Sequence, residues 1–106
     1  MTVFHIARAA DWHAAQEAGE YRVSTLGRSL DEVGFIHASF AEQVPLVAAA
    51  VFGEVTEPLV LLAIDEGKLK AQVIVEHVPA AAQAFPHIYG PIPIDAVKEV
   101  RDFHRG

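Results

Sequence analysis

The sequence predicts one small α+β domain over residues 1–106, with two main helices. A chain of 106 residues has room for one hydrophobic core. Its 52% apolar and 21% charged residues are typical of a globular protein. The patterns run strand, helix, strand, helix and then several strands, an order that favours α+β over a regular α/β alternation.

The first half of the chain contains a strand–helix pair, a connection and a second strand. Val3–Ala7 is rich in strand-forming residues and predicts an opening strand. Ala9–Ala18 is alanine-rich and predicts a helix that stops at Gly19. Tyr21–Val33 has no clear period, so we expect an irregular connection with one helical turn. Phe35–Ala38 predicts a short second strand.

The second helix has the clearest local signal. Ser39–Glu42 has the form of a capping box, in which the serine side chain and the glutamate side chain each bond a backbone amide. Apolar residues then recur at helical spacing as far as Phe52, and Gly53 ends the run. Pro45 lies beyond the first turn of a helix that starts at Ser39, so it predicts a lost hydrogen bond and a kink.

The second half of the chain is predicted to be mostly β. Leu59–Ile64 is continuously apolar, which suits a strand covered on both faces. A turn at Asp65–Gly67 leads to a partner strand within Gln72–Val78. Phe85–Pro93 has three prolines and one glycine, which favour a rigid extended segment. Val97–Phe103 alternates and is expected to close the sheet.

Composition excludes several classes of function. The chain has no cysteine, which removes disulfides, zinc–thiolate sites and thiol catalysis. Its net charge is −6 and its eight lysines and arginines are scattered. Because nucleic-acid binding needs a clustered basic surface, we expect no binding to RNA or DNA.

The same sequence predicts no membrane association. The longest apolar runs, Val44–Phe52 and Pro58–Ile64, are too short to span a bilayer. A basic segment followed by a long apolar stretch is missing from the start of the chain, so no signal peptide is expected. We therefore expect a cytoplasmic protein.

Six histidines are many for a chain of this length, and three of them lie on predicted short strands. His5 lies in the first strand, His37 in the second, and His87 in the rigid extended segment. Strand alternation places Ser39 on the face of His37 and Tyr89 on the face of His87. We expect these side chains to converge on one cleft, because a few polar groups in an apolar domain are typical of a binding site.

The other histidines and the competing site types are less informative. His13 and His104 are expected at the surface, and the role of His77 stays open. Each strand histidine also has a structural interpretation, as a hydrogen-bonded core residue. No histidine pair with helical spacing and no carboxylate-rich cluster occurs, so no metal site is expected. Gly-x-Ser-x-Gly and glycine-rich phosphate loops are absent.

Several motifs together resemble a bacterial family, the domain of unknown function 952. They are Phe4-His5-Ile6, Asp11-Trp12, Gly19, Gly34-Phe35-Ile36-His37-Ala38-Ser39 with Glu42-Gln43, Leu59–Asp65, Phe85-Pro86-His87-Ile88-Tyr89-Gly90-Pro91 and Asp95-Ala96-Val97. The resemblance runs from end to end with the motifs in order. The Gly-Phe-Ile-His-x-Ser and Phe-Pro-His-x-Tyr-Gly-Pro segments are its most specific parts.

The resemblance implies a small split β-sheet fold like that of the ADP-ribosyltransferases, with a cleft that holds NAD in relatives. The pair His5 and His37 is similar to the two histidines of the RNA 2′-phosphotransferase branch. Ile6 and Ala7 depart from that branch, which would have a small residue and a hydroxyl there, and its arginines and separate RNA-binding domain have no counterpart. Glu76 is the candidate for the catalytic glutamate of protein-modifying ADP-ribosyltransferases.

These observations give two hypotheses. In the first, a histidine-lined cleft binds NAD or a related nucleotide or phosphorylated small molecule, with ADP-ribosyl or phosphoryl transfer as the chemistry. His5 and His37 are then catalytic, and Ser39, His87 and Tyr89 bind the ligand. In the second, the protein is a non-catalytic binding or interaction module whose histidines are structural. The sequence leaves open whether the protein is an enzyme.

Overall fold

The computed structural model of the protein describes residues 1–104 and contains ten strands and three α-helices over that range. In chain order they are β1 (Thr2–Arg8), α1 (Ala9–Ala18), β2 (Glu20–Tyr21), β3 (Val23–Thr25), β4 (Arg28–Ser29), α2 (Leu30–Val33), β5 (Ile36–His37), α3 (Val44–Phe52), β6 (Leu59–Asp65), β7 (Val73–Val78), β8 (Gln83–Ile88), β9 (Ile92–Pro93) and β10 (Val97–Phe103). Short 3₁₀ turns occupy Ala41–Gln43, Glu66–Lys68, Pro79–Ala81 and Ile94–Ala96.

Two three-stranded sheets form the frame of this α+β domain. One has the order β1-β6-β10 and the other β5-β8-β7, and every pairing in both is antiparallel. β6 is central because its residues are apolar on both faces, and Leu62 and Ile64 are fully buried. β8 is central in the second sheet, where Phe85–Ile88 is buried.

The two sheets meet where β1 passes the end of β5. Phe4 and Ser39 exchange two backbone hydrogen bonds of 2.8 Å in an isolated antiparallel bridge. This contact places His5 of β1 next to His37 of β5. The junction of the sheets is therefore the place where the first two strand histidines meet.

The helices cover the sheets and complete two hydrophobic clusters. α1 ends at Gly19, whose φ of 92° is in the left-handed region that glycine adopts without strain. α3 packs Val44, Ala48 and Phe52 against Ile6 and other residues of the first sheet. α3 thereby closes one side of the space in front of the sheet junction.

Most predicted elements are confirmed, with small shifts at their ends. The opening strand, the helix over Ala9–Ala18, the buried strand from Leu59, the strand ending at Val78 and the closing strand Val97–Phe103 all form. The connection Tyr21–Val33 contains the predicted helical turn, and also the second residue of β2 together with β3 and β4.

The capping box predicted at Ser39 is wrong. Ser39 is buried, with its backbone paired to Phe4, so it belongs to the sheet junction and not to a helix start. Instead, the Gln43 side chain accepts a hydrogen bond from the backbone N–H of Phe40 at 3.0 Å. A reciprocal capping box does form at α2, between Ser29 and Glu32.

The kink predicted at Pro45 is also wrong, because the helix does not start at Ser39. α3 begins at Val44, after a separate 3₁₀ turn, so Pro45 falls in the first helical turn. The amide groups of that turn have no partner within the helix, and proline therefore removes no hydrogen bond there.

Among residues 1–104, no helix is long and apolar enough to cross a membrane.

Candidate functional site

A cavity of about 380 Å³ lies at the junction of the two sheets, under α3. Its walls are mainly apolar and include Ile6, Leu46, Val47, Val51, Phe52 and Phe85. Four polar side chains also line it: His5, Thr25, His37 and Ser39. A mostly apolar pocket with a few converging polar groups is the usual form of a small-molecule site.

His5 is buried and both of its ring nitrogens are already hydrogen-bonded. Nδ1 lies 2.5 Å from the carbonyl oxygen of His37, and Nε2 lies 2.8 Å from the Tyr21 hydroxyl. Because a carbonyl only accepts, Nδ1 carries the hydrogen, and Nε2 accepts from the tyrosine. His5 therefore fixes β5 and β2 to β1.

Burial sets the protonation of this pair. Removal from water lowers the pKa of His5 to about 4. The hydrogen bond to the His37 carbonyl opposes this effect, and repulsion from the His37 imidazole when it is protonated adds to it. Burial also raises the pKa of Tyr21. Both groups are thus neutral at pH 7, as the hydrogen bonds between them require.

His37 differs from His5 in its exposure and in its hydrogen bonding. Its side chain is exposed at the mouth of the cavity, and its ring nitrogens make no hydrogen bond within residues 1–104. Partial burial and the neighbouring His87 lower the pKa of His37. His37 is therefore a mainly neutral imidazole at physiological pH, with two nitrogens available to a ligand.

His87 and Tyr89 lie beside the cavity and are joined through Glu76. Nδ1 of His87 is 2.7 Å from a Glu76 carboxylate oxygen, and the Tyr89 hydroxyl donates to the same oxygen. The tyrosine and His87 hydrogen bonds lower the pKa of Glu76, so the carboxylate is charged at neutral pH. In turn, Glu76 raises the pKa of Tyr89.

Phe35 connects this cluster to His37. Its ring stacks on His87 with centroids 4.1 Å apart and contacts His37 edge-on at 4.9 Å. The His37 and His87 rings are 5.3 Å apart. His37, Phe35, His87, Tyr89 and Glu76 therefore form one contiguous side-chain cluster, in which His87 is buried.

The structure brings the sequence-predicted site residues together in two adjoining places. His5, His37 and Ser39 line the cavity, and His87 and Tyr89 lie in the neighbouring Glu76 cluster. His13, His77 and His104 are exposed. No group of three or more histidine, aspartate or glutamate side chains within residues 1–104 is placed to hold a metal ion.

Sequence reasoning missed two contributors to the site. Tyr21, the partner of His5, lies in the segment expected to be irregular, and nothing in that stretch indicates a contact across 16 positions. The second contributor is the face of α3 that lines the cavity, where the apolar spacing indicates a helix but no site. Two of its residues, Leu46 and Val51, are 42% and 43% exposed, which marks an incompletely covered helix face.

A larger and more open depression lies elsewhere, at the end of β6 where Leu59 pairs with Phe103. It is bordered by Glu57 and Asp102 and contains none of the predicted site residues. Its acidic border and the absence of any predicted site residue from its lining make it a weaker candidate than the cavity at the sheet junction.

Comparisons with known proteins agree with the fold. The family model described as "Protein of unknown function (DUF952)" matches residues 6–100. The crystal structure of protein CC0527 from Caulobacter crescentus is similar, with 30% identity, a TM-score of 0.81, and coverage of 98% of this chain and 87% of that one. Its solution NMR structure gives 31% identity, a TM-score of 0.73, and coverage of 95% and 83%.

No curated protein matches the chain. The family model spans nearly all of the sequence, including most of the strands and helices that build the cavity. The chain therefore belongs to the family of proteins of unknown function DUF952.

Proposed function

We propose that the cavity binds NAD or a related nucleotide by its ring end, in an ADP-ribosyltransferase-like arrangement of the two sheets. The observation that carries the proposal is the cavity itself: about 380 Å³, apolar walls, and the imidazole of His37 with the hydroxyls of Thr25 and Ser39 as polar groups. A planar heterocycle matches such walls, and its polar substituents match the few polar groups.

The charge of the lining supports binding through the ring and not through phosphate. No lysine or arginine occurs among the lining residues from the described range 1–104. Phosphate recognition normally uses such cations, or backbone amides at a helix start. We therefore expect any phosphate of the ligand to remain outside the cavity, in solvent.

A thermal-shift titration tests this proposal. NAD and nicotinamide are expected to raise the melting temperature, whereas inorganic pyrophosphate is expected to leave it unchanged. A ligand at ten times its Kd adds about 1.4 kcal/mol to the stability, which corresponds to several degrees for a domain of this size. A response to pyrophosphate equal to that of NAD would contradict binding through the ring.

A pair of variants on α3 provides the matched control. Ala50 is exposed to the cavity, so Ala50→Phe is expected to fill it and remove the response to NAD. Ala49 is also exposed but does not line the cavity, so Ala49→Phe is expected to keep the response. The proposal fails if NAD stabilises the Ala50→Phe protein as much as the unmodified one.

ADP-ribosyl or phosphoryl transfer is a second candidate, favoured by the free, largely neutral imidazole of His37 at the cavity mouth. The structural use of both His5 nitrogens supports the non-catalytic alternative for that residue. Incubation with NAD distinguishes a transferase from a binding module. Release of nicotinamide that is lost in His37→Ala supports transfer, and intact NAD supports a binding module.

A further inference from the structure

One buried imidazole nitrogen beside the cavity lacks a hydrogen-bond partner within residues 1–104. It is Nε2 of His87, whose residue is only 4% exposed. The other nitrogen, Nδ1, faces the Glu76 carboxylate, which only accepts, so Nδ1 carries the hydrogen and Nε2 presents a lone pair. A buried acceptor without a donor destabilises the folded state, so such a group is unusual in a folded protein.

His37 is the neighbouring donor able to satisfy this nitrogen. The two rings are 5.3 Å apart at an angle of 80°, and the exposed His37 side chain makes no hydrogen bond to the part of the chain that the structure describes. At this centroid separation, two imidazoles whose nitrogens face each other are within hydrogen-bonding distance. The exposed His37 ring is not held by other hydrogen bonds within residues 1–104, so its rotation is the movement that we infer for this contact.

We propose that Glu76, His87 and His37 form a hydrogen-bonded relay that gives the cavity an acceptor. A His37 N–H donates to Nε2 of His87, and Nδ1–H of His87 donates to Glu76. The second nitrogen of His37 then presents its lone pair to the ligand. The group that meets His37 is thus a hydrogen-bond donor, such as a hydroxyl or an amide N–H, and not an anion.

The charges around His37 are consistent with an imidazole that accepts a hydrogen bond from the ligand. The titratable groups that face it are His5 from β1, His87 from β8, and Glu76 with Tyr89 behind His87. α3, across the cavity, contains no titratable side chain. Burial and His87 lower the pKa of His37, which keeps its lone pair available at neutral pH.

In this arrangement Glu76 and His87 are positioning residues that act through His37. The relay is a property of the free protein, and only the identity of the donor group rests on the proposed function. The relay and the identity of the donor group can therefore be tested separately.

Long-range ¹H–¹⁵N NMR spectra of the imidazoles test the relay without a ligand. In the unmodified protein we expect one dominant tautomer for each ring, with His87 protonated on Nδ1. Glu76→Gln removes the negative charge with little change of shape, and is expected to lower the midpoint of the His37 titration by about half a pH unit. In a His87→Phe background, which keeps the stacking on Phe35, the same change is expected to have little effect.

Tyr89→Phe is the matched control, because it removes the other donor to Glu76 but leaves the charge and His87 in place. Its His37 titration is expected to match that of the unmodified protein. A His37 ring that samples both tautomers in the unmodified protein, as free histidine does, would overturn the relay. An undiminished Glu76→Gln effect in the His87→Phe background would overturn it as well.

Nicotinamide and nicotinate provide a matched pair of probes for the donor group, measured by thermal shift at pH 8. They share the ring, but the first has an amide donor and the second an anionic acceptor. We expect nicotinamide to stabilise the protein and nicotinate to have at most a tenth of its affinity, and Glu76→Gln to reduce the difference. Equal affinities overturn the donor assignment and leave the proposed function standing. If neither probe binds while the NMR result holds, the proposed function fails and the relay survives.

Discussion

Replacing His5 with alanine is expected to lower the free energy of unfolding by about 3–5 kcal/mol. The change leaves the His37 carbonyl and the buried Tyr21 hydroxyl without their partner, at about 1–3 kcal/mol for each group, and opens a small cavity. Domains of this size are stable by about 5–15 kcal/mol, so the loss is a large fraction of the total. Urea unfolding followed by fluorescence of Trp12, the single buried tryptophan, measures it.

His37→Ala is the matched control on the neighbouring strand. The His37 side chain is exposed, and its proposed hydrogen bond to Nε2 of His87 is the contact that the change removes, so we expect a smaller loss, of about 1 kcal/mol. Equal small losses in the two variants would show that the His5 hydrogen bonds contribute nothing. Equal large losses would show that His37 is itself a structural residue and not a group free to meet a ligand.

The difference in stability loss between the two variants distinguishes two histidines that have similar sequence surroundings. Both are single histidines on short strands, and strand alternation alone assigns each only to a face of its own strand. Burial then decides between them: both ring nitrogens of His5 are hydrogen-bonded in the structure, whereas those of His37 have no partner there within residues 1–104. His5 acts as a positioning residue, because it holds the backbone of the strand that carries His37.

The fold could be predicted to a large extent because its strands and helices have strong local signals. The apolar run of β6, the alanine-rich α1 and the prolines around β8 and β9 each determine local structure through a few neighbouring residues. The segment from Tyr21 to Val33 had no such signal. Its two-residue strands are stabilised by partners distant in sequence, such as Ile92 for Tyr21.

The start of α3 shows why helix boundaries are harder to predict. A serine followed three residues later by glutamate matches the capping pattern, and the sequence offers no sign that Ser39 is needed in a strand bridge. Tertiary pairing with Phe4 overrides the local preference, and the helix begins five residues later. The location of Pro45 within the first turn follows from that shift.

The candidate site was predictable in its residue types but not in its contacts. Histidines on strands beside aromatic and hydroxyl residues indicated a cleft, and they do lie close together in space. Which nitrogen bonds to which partner depends on strand order, and the order β5-β8-β7 brings Glu76 next to His87 across a sheet. No local pattern in the sequence encodes that order.

Acid is expected to destabilise the protein through the buried His5. Burial keeps the pKa of His5 at about 4 in the folded protein, whereas the unfolded chain titrates near 6.5. Below pH 6.5 the unfolded state takes up a proton that the folded state does not, so stability falls as the pH decreases. The expected loss is about 2 kcal/mol between pH 8 and pH 5, and about 3 kcal/mol by pH 4. Urea midpoints measured at intervals across this range test it.

Two variants isolate the contribution of His5 to this pH dependence. His5→Gln removes the titrating group and is expected to flatten the dependence of the free energy of unfolding on pH between pH 6.5 and 5. A smaller dependence due to His37 is expected to remain, because its lowered pKa acts in the same direction. His13→Gln, on the exposed face of α1, is expected to keep the full slope. The prediction fails if His5→Gln and the unmodified protein lose stability in parallel over this range. In that case His5 must become protonated within the fold, and its hydrogen bond from the Tyr21 hydroxyl cannot persist in acid.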